Sequence, residues 1–337
     1  GRRAAKHRAA AEWIASLSAD RSEDRAEMLA HHYLSAIELA QASGQDASEF
    51  AEPARLALRD AGDRALALNA YAAAARLYAS ALALWPDDAV DKPSLLLRLG
   101  KARYFGEASG EDILTQARDG LLDAGDREAA AEAEVLLGIY FGNQGQRDLE
   151  DEHVERAGKL VEGLPSTSSK AYTLSQLASS LMMSGNTEES IRVGREALEI
   201  AEQLGLHERQ AHALNSIGIS LVAAGDLGGV AMVEQGLALA VEHNLPEAGR
   251  AYGNLAEAVA NYQGDVRRAA ELRAEGLRVA ERFGLAHMVS FLRGERIVAC
   301  YWLGGWAEGV RLADEMLSES EAGTPSYMDV QAREVKA

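Results

Sequence analysis

Catalysis and metal binding need histidine, cysteine, serine and acidic side chains at fixed spacings, and these 337 residues supply none of the usual ones. The phosphate-binding loop G-x-x-x-x-G-K-[ST] is absent, and its nearest fragment, Leu99-Gly100-Lys101-Ala102, sits in a helical pattern. There is no H-E-x-x-H, no paired C-x-x-C and no G-x-S-x-G. The eight histidines are scattered. His31 and His32 are adjacent. On a helix their side chains leave about 100° apart, so the pair is not expected to clamp a metal. His207 and His212, five apart, offer no better pair. The single cysteine, Cys300, lies in the apolar run Ile297-Val298-Ala299-Cys300-Tyr301-Trp302, where a buried, inert thiol is expected. The chain therefore reads as a non-enzyme, with no catalytic residue, cofactor or metal.

Composition narrows the class further. Fifty-two acidic against 34 basic residues give a net charge of −18. Such a surface repels phosphate backbones, so nucleic acid is not an expected partner. One cysteine excludes a disulfide framework within the chain. No apolar stretch approaches the roughly 18 residues that span a bilayer, so no membrane partner is expected. The opening Gly1-Arg2-Arg3-Ala4-Ala5-Lys6-His7-Arg8 has no apolar run behind it and is not a signal peptide, which leaves the cytoplasm as the default location. Ala, Leu, Glu and Arg are abundant while Pro totals six, a balance that favours helix.

The helices are punctuated at a regular interval. Gly145, Gly185, Gly225, Gly264 and Gly304 recur with a period of about 40 residues. Each can end a helix in the left-handed conformation. Asn186, Asp226 and Asp265 follow as candidate N-caps, and Glu189 could close a capping box with Asn186. A second turn alternates with the first, marked by Gly205, Asn244 and Gly284. The unit is therefore helix A, turn, helix B, turn. One helix B has the inward set Ser190, Ile191, Gly194, Ala197, Leu198, Ala201 and Leu204; the next helix A has Ala211, Leu214, Ile217, Gly218, Leu221 and Val222. The pattern predicts about seventeen helices, among them 2–17, 52–68, 166–184, 187–204, 207–224, 227–243, 246–262, 265–283 and 325–337. Pro53, Pro93, Pro165, Pro246 and Pro325 fall at or near predicted helix starts, and Pro86 just beyond a helix end. Gly44–Ser48, Glu107–Gly110 and Pro165–Ser169 read as irregular.

These units resemble tetratricopeptide repeats. Ala74, Tyr78, Ala81 and Pro86 fit the pattern A-x3-[FY]-x2-A-x4-P, and Gly62 stands where that family has its small helix A residue. Leu99-Gly100, Leu137-Gly138-Ile139-Tyr140, Leu177-Ala178, Ile217-Gly218 and Leu255-Ala256 follow the L-G-x2-Y core to varying degrees. The later units depart from the pattern, being longer than the family's 34 residues and mostly lacking its proline. The resemblance implies an all-α fold, a right-handed α-solenoid of antiparallel helix hairpins. Lys6-His7-Arg8-Ala9-Ala10-Ala11-Glu12-Trp13-Ile14 and Leu29-Ala30-His31-His32-Tyr33-Leu34-Ser35-Ala36 resemble the start of the repeat region in bacterial multidomain signalling ATPases. Residues 1–50 are then expected to form a helical pair leading from a preceding domain. Residues 51–337 would form the solenoid, continuing past Ala337.

The same resemblance locates a site, because helix A of each repeat lines the concave face in that family. Transferring the register selects Tyr172, Ser175, Ser179, Met182, His212, Asn215, Ile219, Arg250, Asn254, Glu257, Arg293 and Tyr301. This mixture of aromatic, amide and guanidinium groups suits a protein or peptide partner, with a small-molecule effector as the alternative. The Lys/Asn pattern of carboxylate-clamp repeats is missing, so chaperone C-terminal tails are not the expected ligand. The expected function is a non-catalytic binding scaffold, the regulatory arm of a larger signalling ATPase.

Overall fold

The computed structural model describes residues 2–16, 22–46, 48–322, 326 and 328–337. Among them there are seventeen α-helices and no strand. Packing divides the chain into two compact units, Gly1–Asp126 and Arg127–Ala337.

The first unit holds α1 (Arg2–Ser16), α2 (Ser22–Ala42), α3 (Ser48–Ala67), α4 (Tyr71–Leu82), α5 (Lys92–Glu107) and α6 (Glu111–Asp123). Each of α1 to α5 packs on a sequence neighbour. The core around α3 to α5 joins Leu58, Ala61, Ala74, Tyr78, Ala81, Leu95 and Leu99. Gly62 has the role its position implies: a Cβ there would lie 2.6 Å from the Tyr78 ring. Tyr78 is fully buried and donates its hydroxyl proton to Asp63 at 2.7 Å. Asp63 also takes the Arg98 guanidinium, so the aromatic anchor, its acceptor and a cation join three helices.

The second unit holds α7 (Arg127–Asn143), α8 (Arg147–Val161), α9 (Ser168–Met183), α10 (Thr187–Gln203), α11 (His207–Ala223), α12 (Gly229–Glu242), α13 (Glu247–Ala258), α14 (Val266–Phe283), α15 (Ala286–Trp302), α16 (Trp306–Glu321) and α17 (Asp329–Lys336). A π-helical turn, Val259–Gln263, prolongs α13. The fold is an α-solenoid of sequential helix pairs. The first helices of successive pairs also pack on one another, α7 on α9, α9 on α11 and α11 on α13, and the second helices show no comparable packing. The first helices therefore crowd one face of this unit, and the side chains on that face are the ones that can meet across repeats. A close approach within a pair joins α11 and α12, where a Cβ on Gly218 would lie 2.6 Å from the Gly229 carbonyl oxygen.

The turn glycines stand at positive φ as expected, including Gly185 at 78°, Gly225 at 90° and Gly264 at 72°. Asn244 takes the same conformation, at 52°. The N-terminal signals fare less evenly. Asp265 caps α14, its Oδ1 accepting the Arg268 N–H at 2.9 Å. Asn186 precedes α10 without a side-chain cap, although its φ and ψ of −83° and 67° are close to the −90° and 77° of Asp265. The backbones nearly match, so the difference lies in the side chains: a charged carboxylate is a stronger acceptor than a neutral amide. The expected capping box is absent, and Glu189 turns outward to Arg192 instead. Asp226 accepts the Gly228 N–H at 2.9 Å and closes a turn, and α12 starts only at Gly229. Helix α3 begins at Ser48, so Pro53 lies inside it. Asp46 accounts for that start, accepting the Ser48 N–H at 2.9 Å. Ser168 and Ser169 are helical too, since Thr167 caps α9 by accepting the Lys170 N–H. The expected helix start at Pro325 and the end of the 2–17 helix lie outside the described residues. On α10 the inward arc is rotated from the expected set: Leu204 is 45% exposed while Val193 and Ile200 are buried. That helix packs on α9 on one side and α11 on the other, which widens its buried arc.

Candidate functional site

The residues expected to line the groove divide into two groups. Tyr172, Ser175 and Ser179 lie on α9, His212 and Asn215 on α11, and Arg250 and Asn254 on α13. Ser179, His212, Asn215, Arg250 and Asn254 enter polar contacts that cross from helix to helix. Arg250 donates from Nη1 to Glu247 Oε1 at 2.8 Å, and from Nη2 to Ser216 Oγ at 2.9 Å and Ser179 Oγ at 3.1 Å. One guanidinium thus reaches from α13 across α11 to α9, a span of 71 residues in sequence. Asn254 Nδ2 donates to Asn215 Oδ1 at 3.1 Å, joining equivalent positions of adjacent repeats. His212 Nδ1 lies 3.2 Å from Glu247 Oε2.

This network is buried and charged. His212, Asn215 and Ser216 are buried, and Glu247 and Arg250 are nearly so. Burial pushes the Glu247 carboxyl up, but His212 and Arg250 together prevail and hold it at about 2. Burial and then the Arg250 charge push the His212 imidazole below its usual value, against the attraction of Glu247. At neutral pH the centre is therefore one carboxylate and one guanidinium beside a neutral imidazole. Two buried polar atoms in it, His212 Nε2 and Asn215 Nδ2, have no hydrogen-bond partner among the described residues. Native interiors rarely leave such atoms idle unless something else meets them.

Tyr172 and Ser175 stand beside this centre. The Arg209 guanidinium lies 4.6 Å from the centre of the Tyr172 ring, a cation–π contact, and the Ser175 hydroxyl donates to the Tyr172 carbonyl at 2.8 Å. The structure does not bring the remaining five into the network. Met182 is half-buried near the end of α9. Ile219 packs against the Val222, Val233 and Leu255 core. Glu257 reaches solvent at its surface, yet burial of its carboxyl and then the Glu295 charge push its pKa up. Arg293 is committed to Glu319 through two hydrogen bonds of 2.8 and 3.0 Å. Tyr301 is exposed beside Trp302. A cleft of about 440 Å³ between α14 and α15, lined by Arg273, Leu277, Arg296 and Cys300 among others, is separate from the network.

Ser216 and Glu247 belong to the centre, and the repeat register alone does not select them. Glu247 carries a legible signal, since it stands one turn before Arg250 at the spacing of a helical ion pair. Ser216 follows His212 by one turn and offers none beyond that.

The sequence pairs His31 only with His32, and the structure adds a third imidazole. His7, on α1, comes across to His31 and His32 on α2. The His31 and His32 rings are 5.3 Å apart between centres. Burial, then His7 and His31, push the His32 imidazole down.

A set of solved structures shares this fold. One is a Signal Transduction ATPase with Numerous Domains (STAND) protein with a tetratricopeptide repeat sensor from Pyrococcus horikoshii. The match has a TM-score of 0.52 at 13% identity and covers 96% of this chain and 50% of that one. The fold is of the tetratricopeptide type. The Rap conjugation gene regulator of plasmid pLS20, in complex with the Phr* peptide, matches with a TM-score of 0.57 at 18% identity, covering 77% of this chain and 70% of that one. The quorum sensor NprR from B. thuringiensis, in its apo form, matches with a TM-score of 0.58 at 11% identity, covering 88% and 83%. This chain thus spans half the length of the STAND protein. No protein-family model matches the sequence, and no curated protein does. None of the described helices is long and apolar enough to cross a membrane.

Proposed function

We propose that this chain is a non-catalytic repeat domain that binds an extended peptide on the first-helix face of α9, α11 and α13, as the sensing arm of a larger signalling ATPase. The observation that carries the reading is the convergence of polar groups from three successive repeats on one centre, edged by the half-buried Ser179 and Asn254. A side-chain amide can both donate and accept, which matches the paired N–H and C=O of an extended peptide backbone. Asn254 carries such an amide at the edge of the centre, braced from beneath by Asn215 of the preceding repeat. The likeness to a regulator solved with a peptide and to a STAND protein with a repeat sensor supports both halves of the proposal. The acidic balance of the chain favours a peptide of net positive charge.

The test is an array of short unstructured peptides probed with the purified chain and with Asn254→Ala. A preferred sequence class should emerge for the unmodified chain, and Asn254→Ala should weaken it about tenfold, the worth of one or two buried hydrogen bonds. Equal binding by both proteins would remove the face from consideration. No selection among peptides would remove the peptide.

A further inference from the structure

We propose that His7, His31 and His32 form a three-imidazole site for a divalent transition-metal ion, pinning α1 to α2. The ligand nitrogens of the three rings all lie within 4.8 Å of one another, and His7 Nδ1 is 3.0 Å from His32 Nδ1. Tetrahedral coordination at a metal–nitrogen distance of about 2.0–2.1 Å sets neighbouring nitrogens roughly 3.4 Å apart. The His7–His32 separation is already near that value, and rotation about the side-chain bonds closes the others. His31 is exposed and the other two are half-buried, so an ion can enter and its fourth position faces water.

The donor set selects the ion. Three neutral imidazoles suit zinc, nickel or copper, while calcium and magnesium require oxygen ligands. The carboxylate of Glu12 is committed to Arg8 at 3.0 Å. The site would hold helices together. That role fits its location: among the described residues α1 buries only Ala4, Ala11 and Ile14. An ion shared between the two helices would order α1 more than any of those contacts.

The experiment is calorimetric titration of the untagged chain with zinc chloride, with magnesium chloride as control, repeated on His7→Ala, His31→Ala and His32→Ala. One zinc per chain is expected, with each substitution lowering affinity by at least about tenfold, since even partners of a metal ligand cost that much. In the unmodified chain, zinc should also slow hydrogen exchange across residues 2–16. Zinc affinity unchanged in any one of the three variants, magnesium binding as tightly as zinc, or exchange across α1 indifferent to zinc would overturn the site.

Discussion

A carboxylate with almost no access to water must keep its cation. Glu247 is in that position, with Arg250 one turn away and His212 facing it from the adjacent repeat. Arg250→Met should lower unfolding stability by about 3 kcal/mol, because the carboxylate left behind is buried without its cation. Adding Glu247→Leu to that variant should recover much of the loss, since a buried pair replaced by apolar groups of similar size costs little. Urea midpoints of the two variants check the order; a double variant weaker than the single one would refute it. Much of this centre is legible in the sequence: the repeat register alone selects Ser179, His212, Asn215, Arg250 and Asn254. Arg293 and Tyr301 share that register but stand apart, because α15 packs on α13 far less closely than α13 on α11. His7 gives no signal in the sequence, because its partners lie 24 and 25 positions away and meet it only once α1 folds back on α2.

At the level of the helix, glycine does two separate jobs in this chain, and they predict different costs. Gly225 follows α11 at a φ of 90°, in open space. Gly225→Ala should cost about 1 kcal/mol from the backbone alone. Gly218 lies mid-helix with no backbone need, but the Gly229 carbonyl and Val233 leave no room for a methyl group. Gly218→Ala should cost as much or more, about 1–3 kcal/mol, by prising α12 from α11. Thermal melts of the pair decide it, and a Gly218→Ala protein that melts like the parent would mean the helices part freely. The period of turn glycines is the clearest statement in the sequence, because a succession of helix hairpins needs a left-handed residue every half-repeat and few folds besides do. Caps are harder to read: Asn186 and Asp265 occupy equivalent places with nearly the same backbone angles, yet only the carboxylate accepts a hydrogen bond.

Within each unit, stability is distributed in a chain of nearest-neighbour contacts. The unit from Arg127 onward contains its own cores and the entire polar centre. Residues 127–337 expressed alone should therefore fold, with helical content in proportion to length and a cooperative urea transition. A fragment that is molten or insoluble would show that its helices depend on residues before 127.

Arg250 also has a mechanical meaning. Its fork ties three consecutive hairpins together at their first helices, so their relative tilt is set partly by one side chain. An occupant that drew the guanidinium toward itself would release two serine hydroxyls in the same movement and loosen the hairpins they belong to. Recognition at this point and the pitch of the stack would then be one event, felt at both ends of the unit without any separate messenger.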